Sequence, residues 1–286
     1  MLIAPTRSGS SISAKISTFT GAAVAAVENK RFPDGEMYIR ILDSMEGEDV
    51  VVVGSTRSDS DILELMLLMN AAREGGARRV FIVNPYFGYA RQHMVYKRGE
   101  PVSSKVLMQC LEMFSDRGMC VEMHDLETLK YSRKSFVNLD VTKTVAEYYS
   151  RSTVDLVISP DDGGYQRARE IGRIIGVQSA FIEKKRLDAK TVEMKLPDLD
   201  FRGRSILLVD DIISTGGTII KATKLLKDGG ARQIFVTAIH GIFANDSDRK
   251  IMEVASDIAV TDTIEGTYSK ISVSRQISEE LNRWIR

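Results

Sequence analysis

Short unbroken apolar runs recur along the chain: Val50-Val51-Val52-Val53, Val80-Phe81-Ile82-Val83, Leu156-Val157-Ile158 and Ile206-Leu207-Leu208-Val209. Runs this short read as strands buried on both faces, as in a parallel sheet covered by helices. Between them lie stretches with apolar residues at helical spacing, one from about Asp61 and another over Ile219 to Lys227. Residues 47–83 and 203–237 repeat one plan: an apolar strand, a turn bearing hydroxyls, a helix, a glycine pair, and at once the next strand. The pairs are Gly75-Gly76 and Gly229-Gly230, placed where a helix ends in left-handed backbone. The pattern predicts an α/β protein of two similar parallel-sheet domains made by duplication. The expected bounds are 1–146 and 147–286, with the hinge in the stretch 141–152. Residues 274–286 predict a terminal amphipathic helix that can pack back on a domain, the N-terminal one being the expectation.

At 286 residues the chain suits two domains. A hydrophobic content of 43% is enough for two cores. Lys plus Arg and Asp plus Glu balance at 39 each, which gives no support for a general nucleic-acid binder. The two cysteines, Cys110 and Cys120, offer neither a disulfide framework nor metal-ligand spacing. Neither a leader-like N-terminus nor an apolar run of membrane length is present. The expectation is a cytoplasmic protein with no nucleic-acid or membrane partner.

The candidate chemistry gathers where strands end. After Ile206–Val209 come Asp210 and Asp211, then Ser214, Thr215, Gly216, Gly217 and Thr218 at the head of a helix. The glycines let backbone amides turn inward, the hydroxyls add donors, and a helix N-terminus favours an anion. The two carboxylates suit either sugar hydroxyls or a hydrated Mg²⁺. The stretch reads as a cradle for a phosphorylated sugar. The first copy of the repeat lacks the acids and the Gly-Gly-Thr loop, so its half has another role. Further clusters are the turn Phe32-Pro33-Asp34-Gly35-Glu36, the segment Tyr89-Ala90-Arg91-Gln92-His93, and Glu122-Met123-His124-Asp125. Two more follow, Ser159-Pro160-Asp161-Asp162-Gly163-Gly164 and Glu183-Lys184-Lys185-Arg186, the latter read as a strand ending in cations. Ligands of open α/β sheets sit beyond the carboxyl ends of strands, which favours these positions. His240 follows a strand and takes a structural reading.

The Asp210–Thr218 stretch resembles the phosphoribosyl-diphosphate motif of the type I phosphoribosyltransferase fold. All six clusters, in this order and over nearly the whole chain, resemble the ribose-phosphate pyrophosphokinase family. The spacer Lys97-Arg98-Gly99-Glu100-Pro101 is similar to its archaeal branch. His93 stands where many members carry Asp, and Ser214 where Asp is common.

The resemblance implies transfer of the β,γ-diphosphate of ATP to the C1 hydroxyl of ribose 5-phosphate, with Mg²⁺ as cofactor. It gives Phe32, Asp34 and Glu36 to adenine, from a neighbouring subunit of a homodimer or larger assembly. Arg91, Gln92 and His124 would grip ATP. His124 and Asp161 would hold the metal, Glu127 being the alternative to His124. Lys184 and Arg186 would be catalytic, Asp210 and Asp211 would take the ribose hydroxyls, and Ser214 to Thr218 the 5-phosphate. Two other readings are a non-catalytic relative and a phosphoribosyltransferase acting on a base. The cation pair speaks against the first, the ATP-like N-terminal set against the second.

Overall fold

The apolar runs form the inner strands of two parallel sheets. The computed structural model describes residues 1–186 and 192–285, without the side chains of Lys185, Arg186, Val192 and Glu193. The chain forms two units. The first comprises Met1–Asp140, Thr263–Glu265 and Val273–Arg286, the second Val141–Asp262 and Gly266–Ser272.

In chain order the first unit contains β1 (Leu2–Pro5), α1 (Ser10–Thr20), β2 (Ala23–Val24), β3 (Val27–Arg31), β4 (Met37–Ile41), β5 (Asp49–Val53), α2 (Asp59–Glu74), β6 (Arg79–Asn84), α3 (Ser103–Phe114), β7 (Arg117–Val121) and β8 (Ser135–Leu139). The second follows with α4 (Thr142–Tyr149), β9 (Leu156–Ser159), α5 (Tyr165–Ile175), β10 (Gln178–Phe181), β11 (Glu183–Arg186), β12 (Val192–Lys195), β13 (Ser205–Ile213), α6 (Gly217–Asp228), β14 (Gln233–Gly241), α7 (Ser247–Met252), β15 (Asp257–Thr261) and β16 (Ser269–Ile271). The closing helix α8 (Ser274–Ile285) belongs to the first unit. The crossing from the first unit to the second falls at Asp140/Val141, ahead of the 146/147 bound that the sequence suggests. The reason is α4, whose buried Val145, Ala146 and Tyr149 go with the second unit, where the helix packs on α5.

Among the described residues the first sheet has the order β2-β1-β5-β6-β7-β8 and the second β10-β9-β13-β14-β15-β16. All pairings within both are parallel. The two orders match strand for strand, as a duplicated βαβ plan requires. In the first unit Val50, Val52, Val80 and Ile82 meet Leu65, Leu68 and Met69 of α2 and Leu107 and Met108 of α3. In the second Leu156, Ile158, Ile206 and Leu208 meet Ile219, Ala222 and Leu226 of α6. The predicted glycine stops are in place: Gly75 and Gly229 cap α2 and α6, and Gly76 and Gly230 take φ of +81° and +96°. No helix among the described residues is long and apolar enough to cross a membrane.

The terminal helix lies against α1, and Trp284 anchors it. Its indole stands 5.5 Å from the Phe81 ring, lies under the Arg117 guanidinium at 4.5 Å, and donates from Nε1 to Glu280 at 2.7 Å. Trp284→Ala should lower the unfolding free energy of this unit by about 3–5 kcal/mol, the usual cost of deleting a buried aromatic. Urea denaturation measures it, and a loss below about 1 kcal/mol would mean that the helix is not part of the core.

Candidate active site

The richest chemistry of the second unit lies at the carboxyl ends of β9 and β13. These strands are neighbours, with β10 on one side and β14 on the other. The chain order reverses between them, which opens the crevice where such sheets bind ligands. β13 does not stop before the acids but runs through them to Ile213, because Ile212 and Ile213 are buried and stay paired with β14 as far as Gly241. Asp210 and Asp211 are half-buried at this edge. The amide of Asp211 donates to Asp210 Oδ1 at 2.9 Å, and that of Ile212 to Asp211 Oδ1 at 2.7 Å. Burial, then the Asp211 carboxylate beside it, holds the Asp210 carboxyl far above the usual carboxylate range, and the nearby Asp161 adds to the effect.

The loop that follows is built to stay open. Gly216 takes φ +72°, and a Cβ there would stand 3.0 Å from Ser247 Cβ and 3.1 Å from Ile251 Cδ1. It caps α6 without any side-chain hydrogen bond, so the first amides of that helix keep their donors for an anion. The side chains of Thr215 and Thr218 have no hydrogen-bond partner among the described residues. The loop is fixed instead through its backbone: the Ser214 carbonyl accepts from Ser247 Oγ at 2.7 Å and from the Ala244 amide at 3.0 Å. That support comes from a segment where Phe243, Asn245 and Asp246 hold φ of +50°, +58° and +53°. Sequence reasoning misses Ser247. Its only local signal is Asn-Asp, the pair that best tolerates left-handed backbone, and it reads equally well as a plain turn.

Across the crevice, Ser159 Oγ donates to the Asp161 carbonyl at 2.7 Å, and the Gly164 amide donates to Asp161 Oδ1 at 3.3 Å. A Cβ on Gly164 would come within 2.4 Å of Ser159 Oγ, so the turn into α5 needs glycine. Lys184 Nζ donates to Asp161 Oδ2 at 2.5 Å. The structure thus joins two residues that the sequence singles out separately. It also corrects the reading of the cations as the end of β10. They form their own strand, β11, paired antiparallel with β12, with Lys184 opposite Met194. A mostly charged run such as Glu183-Lys184-Lys185-Arg186 suits an exposed two-stranded ribbon rather than a buried strand. Arg186 ends β11, and its side chain lies outside the described residues. His240 is buried on β14.

In the first unit, Phe32, Asp34 and Glu36 occupy the tip of the β3–β4 hairpin. The turn closes through the Phe32 amide on the Glu36 carbonyl at 2.9 Å, with Gly35 at φ +94°. Phe32 is 45% exposed and meets the Tyr38 ring edge-on at 5.8 Å. Arg91 and Gln92 follow β6. The turn that carries them is pinned by Tyr89, at φ +60° with its hydroxyl on the Asp59 carboxylate, and by the Gly88 amide on Thr56 Oγ1 at 2.8 Å. Arg91 is exposed and its guanidinium has no partner among the described residues. Gln92 accepts from Ser103 Oγ. His124 is exposed after β7, and Glu127 pairs with Lys130. No group of three or more His, Cys, Asp or Glu among the described residues is arranged to hold a metal ion.

A carboxylate pair at the carboxyl edge of a parallel sheet, a left-handed glycine and an uncapped helix start give the second unit the arrangement that the resemblance to the phosphoribosyltransferase type implies. Comparison with known proteins agrees. The profile of the phosphoribosyl transferase domain matches residues 136–272, and that of the N-terminal domain of ribose phosphate pyrophosphokinase matches residues 1–114. The ribose-phosphate pyrophosphokinase of Thermoplasma acidophilum is 43% identical over 279 residues, 98% of each chain. That of Pyrococcus furiosus is 39% identical over 259 residues, 90% of this chain and 92% of its own. The crystal structure of phosphoribosylpyrophosphate synthetase from Mycobacterium smegmatis shares the fold, with a TM-score of 0.86 over 100% of this chain and 98% of that one at 24% identity. The chain belongs to the ribose-phosphate pyrophosphokinase family.

Proposed function

We propose that the chain carries out its family's reaction, formation of 5-phosphoribosyl 1-diphosphate and AMP from ribose 5-phosphate and ATP, with the residues described above. One observation carries the reading: the crevice between β9 and β13 joins a sugar-phosphate cradle to a lysine already held in place by Asp161. Asp210 and Asp211 accept the ribose hydroxyls, and the loop from Ser214 to Thr218 takes the 5-phosphate. The C1 hydroxyl attacks the β-phosphorus and AMP leaves. Lys184, with Arg186 two residues on along β11, stabilises the charge on the transferred group and the leaving AMP.

The donors on offer at the crevice of the second unit are the carboxylates of Asp161, Asp210 and Asp211. That hard, oxygen-rich set suits Mg²⁺, which takes few protein ligands and fills its shell with water and substrate phosphates. By family likeness His124 of the first unit and Asp161 of the second are each candidates to hold it or the nucleotide it bridges. When bound, it would supply charge neutralisation at the phosphates. Arg91, Gln92 and His124 grip ATP. Phe32, Asp34 and Glu36 meet adenine from a second copy of the chain, so the protein works as at least a dimer. Two free thiols and an ATP-dependent reaction support a cytoplasmic location.

Incubation with ATP, Mg²⁺ and ribose 5-phosphate, with nucleotides separated by chromatography, tests the reading. AMP should appear only with the sugar present. ADP would mean an ordinary kinase, and no nucleotide change a non-catalytic relative. Phe32→Ala should raise the KM for ATP about tenfold or more and leave that for the sugar near its original value. Mixing Phe32→Ala with Lys184→Ala should restore part of the activity if the site is shared between subunits. No restoration would remove the shared site.

A further inference from the structure

The loops that carry Arg91-Gln92 and His124 leave neighbouring strands, since Asn84 at the end of β6 pairs with Cys120 of β7. One contact ties them. His93 Nδ1 lies 2.9 Å from Asp125 Oδ2, a close ion-pair distance off the line of a good hydrogen bond. His93 directly follows Gln92, and Asp125 directly follows His124. The other Asp125 oxygen accepts from the Glu127 amide at 2.8 Å, which aims the carboxylate. On the His93 side, the Tyr131 hydroxyl donates to its carbonyl at 3.1 Å, and the Tyr96 ring meets its imidazole edge-on at 5.9 Å. The two side chains are only 18% and 22% exposed, so the pair is less screened than one on open surface.

We propose that His93 and Asp125 are positioning residues for ATP. Their contact fixes the Arg91-Gln92 turn against the His124 loop, so that the nucleotide meets both in one geometry. The inference rests on the nucleotide site proposed above and adds the element that aligns its two halves. The pairing also predicts which residue position 93 would not tolerate. An Asp there would bring a second carboxylate against Asp125, and like charges at that distance repel.

The test is a double-mutant cycle with His93→Ala, Asp125→Ala and both together, read as AMP formation at varied ATP and varied ribose 5-phosphate. Each single variant should raise the KM for ATP about tenfold, with kcat and the KM for the sugar within about twofold. The double variant should stay near tenfold, because either change breaks the same contact. His93→Asp should be worse than His93→Ala, and His93→Asp combined with Asp125→Asn should recover most of the loss. The proposal is overturned by an unchanged KM for ATP, by effects that multiply to about a hundredfold in the double variant, or by an equal loss in kcat and both KM values, which would mark general damage. Wild-type protein that yields no AMP would sink the proposed reaction rather than this pair. Titration of Mg-ATP into the same variants then gives the Kd ratios, and equal Kd values would overturn the pairing.

Discussion

Lys184→Ala is expected to lower turnover by about 10²–10³-fold while ribose 5-phosphate binds within about threefold of its original affinity. That is the usual penalty for removing one preorganised donor from a site where charge develops. The argument rests on where the ammonium stands. Its Nζ is held at 2.5 Å by Asp161, at the edge of the crevice that also carries Asp210. A charge fixed there before the substrates arrive costs little reorganisation as negative charge moves onto the β-phosphoryl group. On the proposed reading the charge of the bound sugar sits on its 5-phosphate, at the Ser214–Thr218 loop rather than at the lysine, so the loss falls on kcat rather than on sugar affinity. Lys184→Arg should recover little, because a forked guanidinium does not reproduce a point contact with one carboxylate oxygen. Steady-state AMP formation with a separate sugar-binding titration checks this. Turnover unchanged in Lys184→Ala would remove the lysine from the mechanism.

The sequence carried most of the architecture because the strands are buried on both faces. Val50–Val53 and Ile206–Val209 admit no polar position, and the glycine pairs after α2 and α6 mark the helix ends as plainly. It carried less where burial is not the determinant. The charged run around Lys184 has no apolar alternation, and only pairing with β12 makes it a separate ribbon. The open loop after β13 was legible through its glycines. Its backbone anchor, Ser247, was not, because it lies 33 residues from Ser214 and acts on a carbonyl that any residue would supply. The contact between His93 and Asp125 was likewise out of reach, since β6 and β7 bring together positions that are distant in the chain. Local patterning shows what a residue can do; the topology decides which residues do it together.

Asp210→Asn should make the ligand-free protein more stable at pH 8 and at the same time weaken its response to ribose 5-phosphate. Burial and the Asp211 carboxylate push the Asp210 carboxyl up to about 8, against roughly 3.9 in an unfolded chain. A raised folded-state value means that the stabilising contribution is complete below pH 4 and is lost as the pH rises through 8. The wild-type melting temperature should therefore fall between pH 5.5 and 8.5, while Asp210→Asn, neutral throughout, should give a flatter curve. At pH 8.5 the difference should be on the order of 2–4 kcal/mol in favour of the variant. Saturating sugar should narrow that gap by about 1.4–2.7 kcal/mol, the equivalent of the variant's weaker affinity. On the proposed reading ribose hydroxyls donate to the carboxylate, and a ligand that binds only the folded state stabilises it by mass action. The amide offers a single neutral acceptor, so affinity should drop about 10- to 100-fold. Melting curves at the two pH values, each with and without the sugar, give all four corners. Equal pH slopes in the two proteins would mean that Asp210 is an ordinary ionised carboxylate, held in place for packing rather than poised for the substrate.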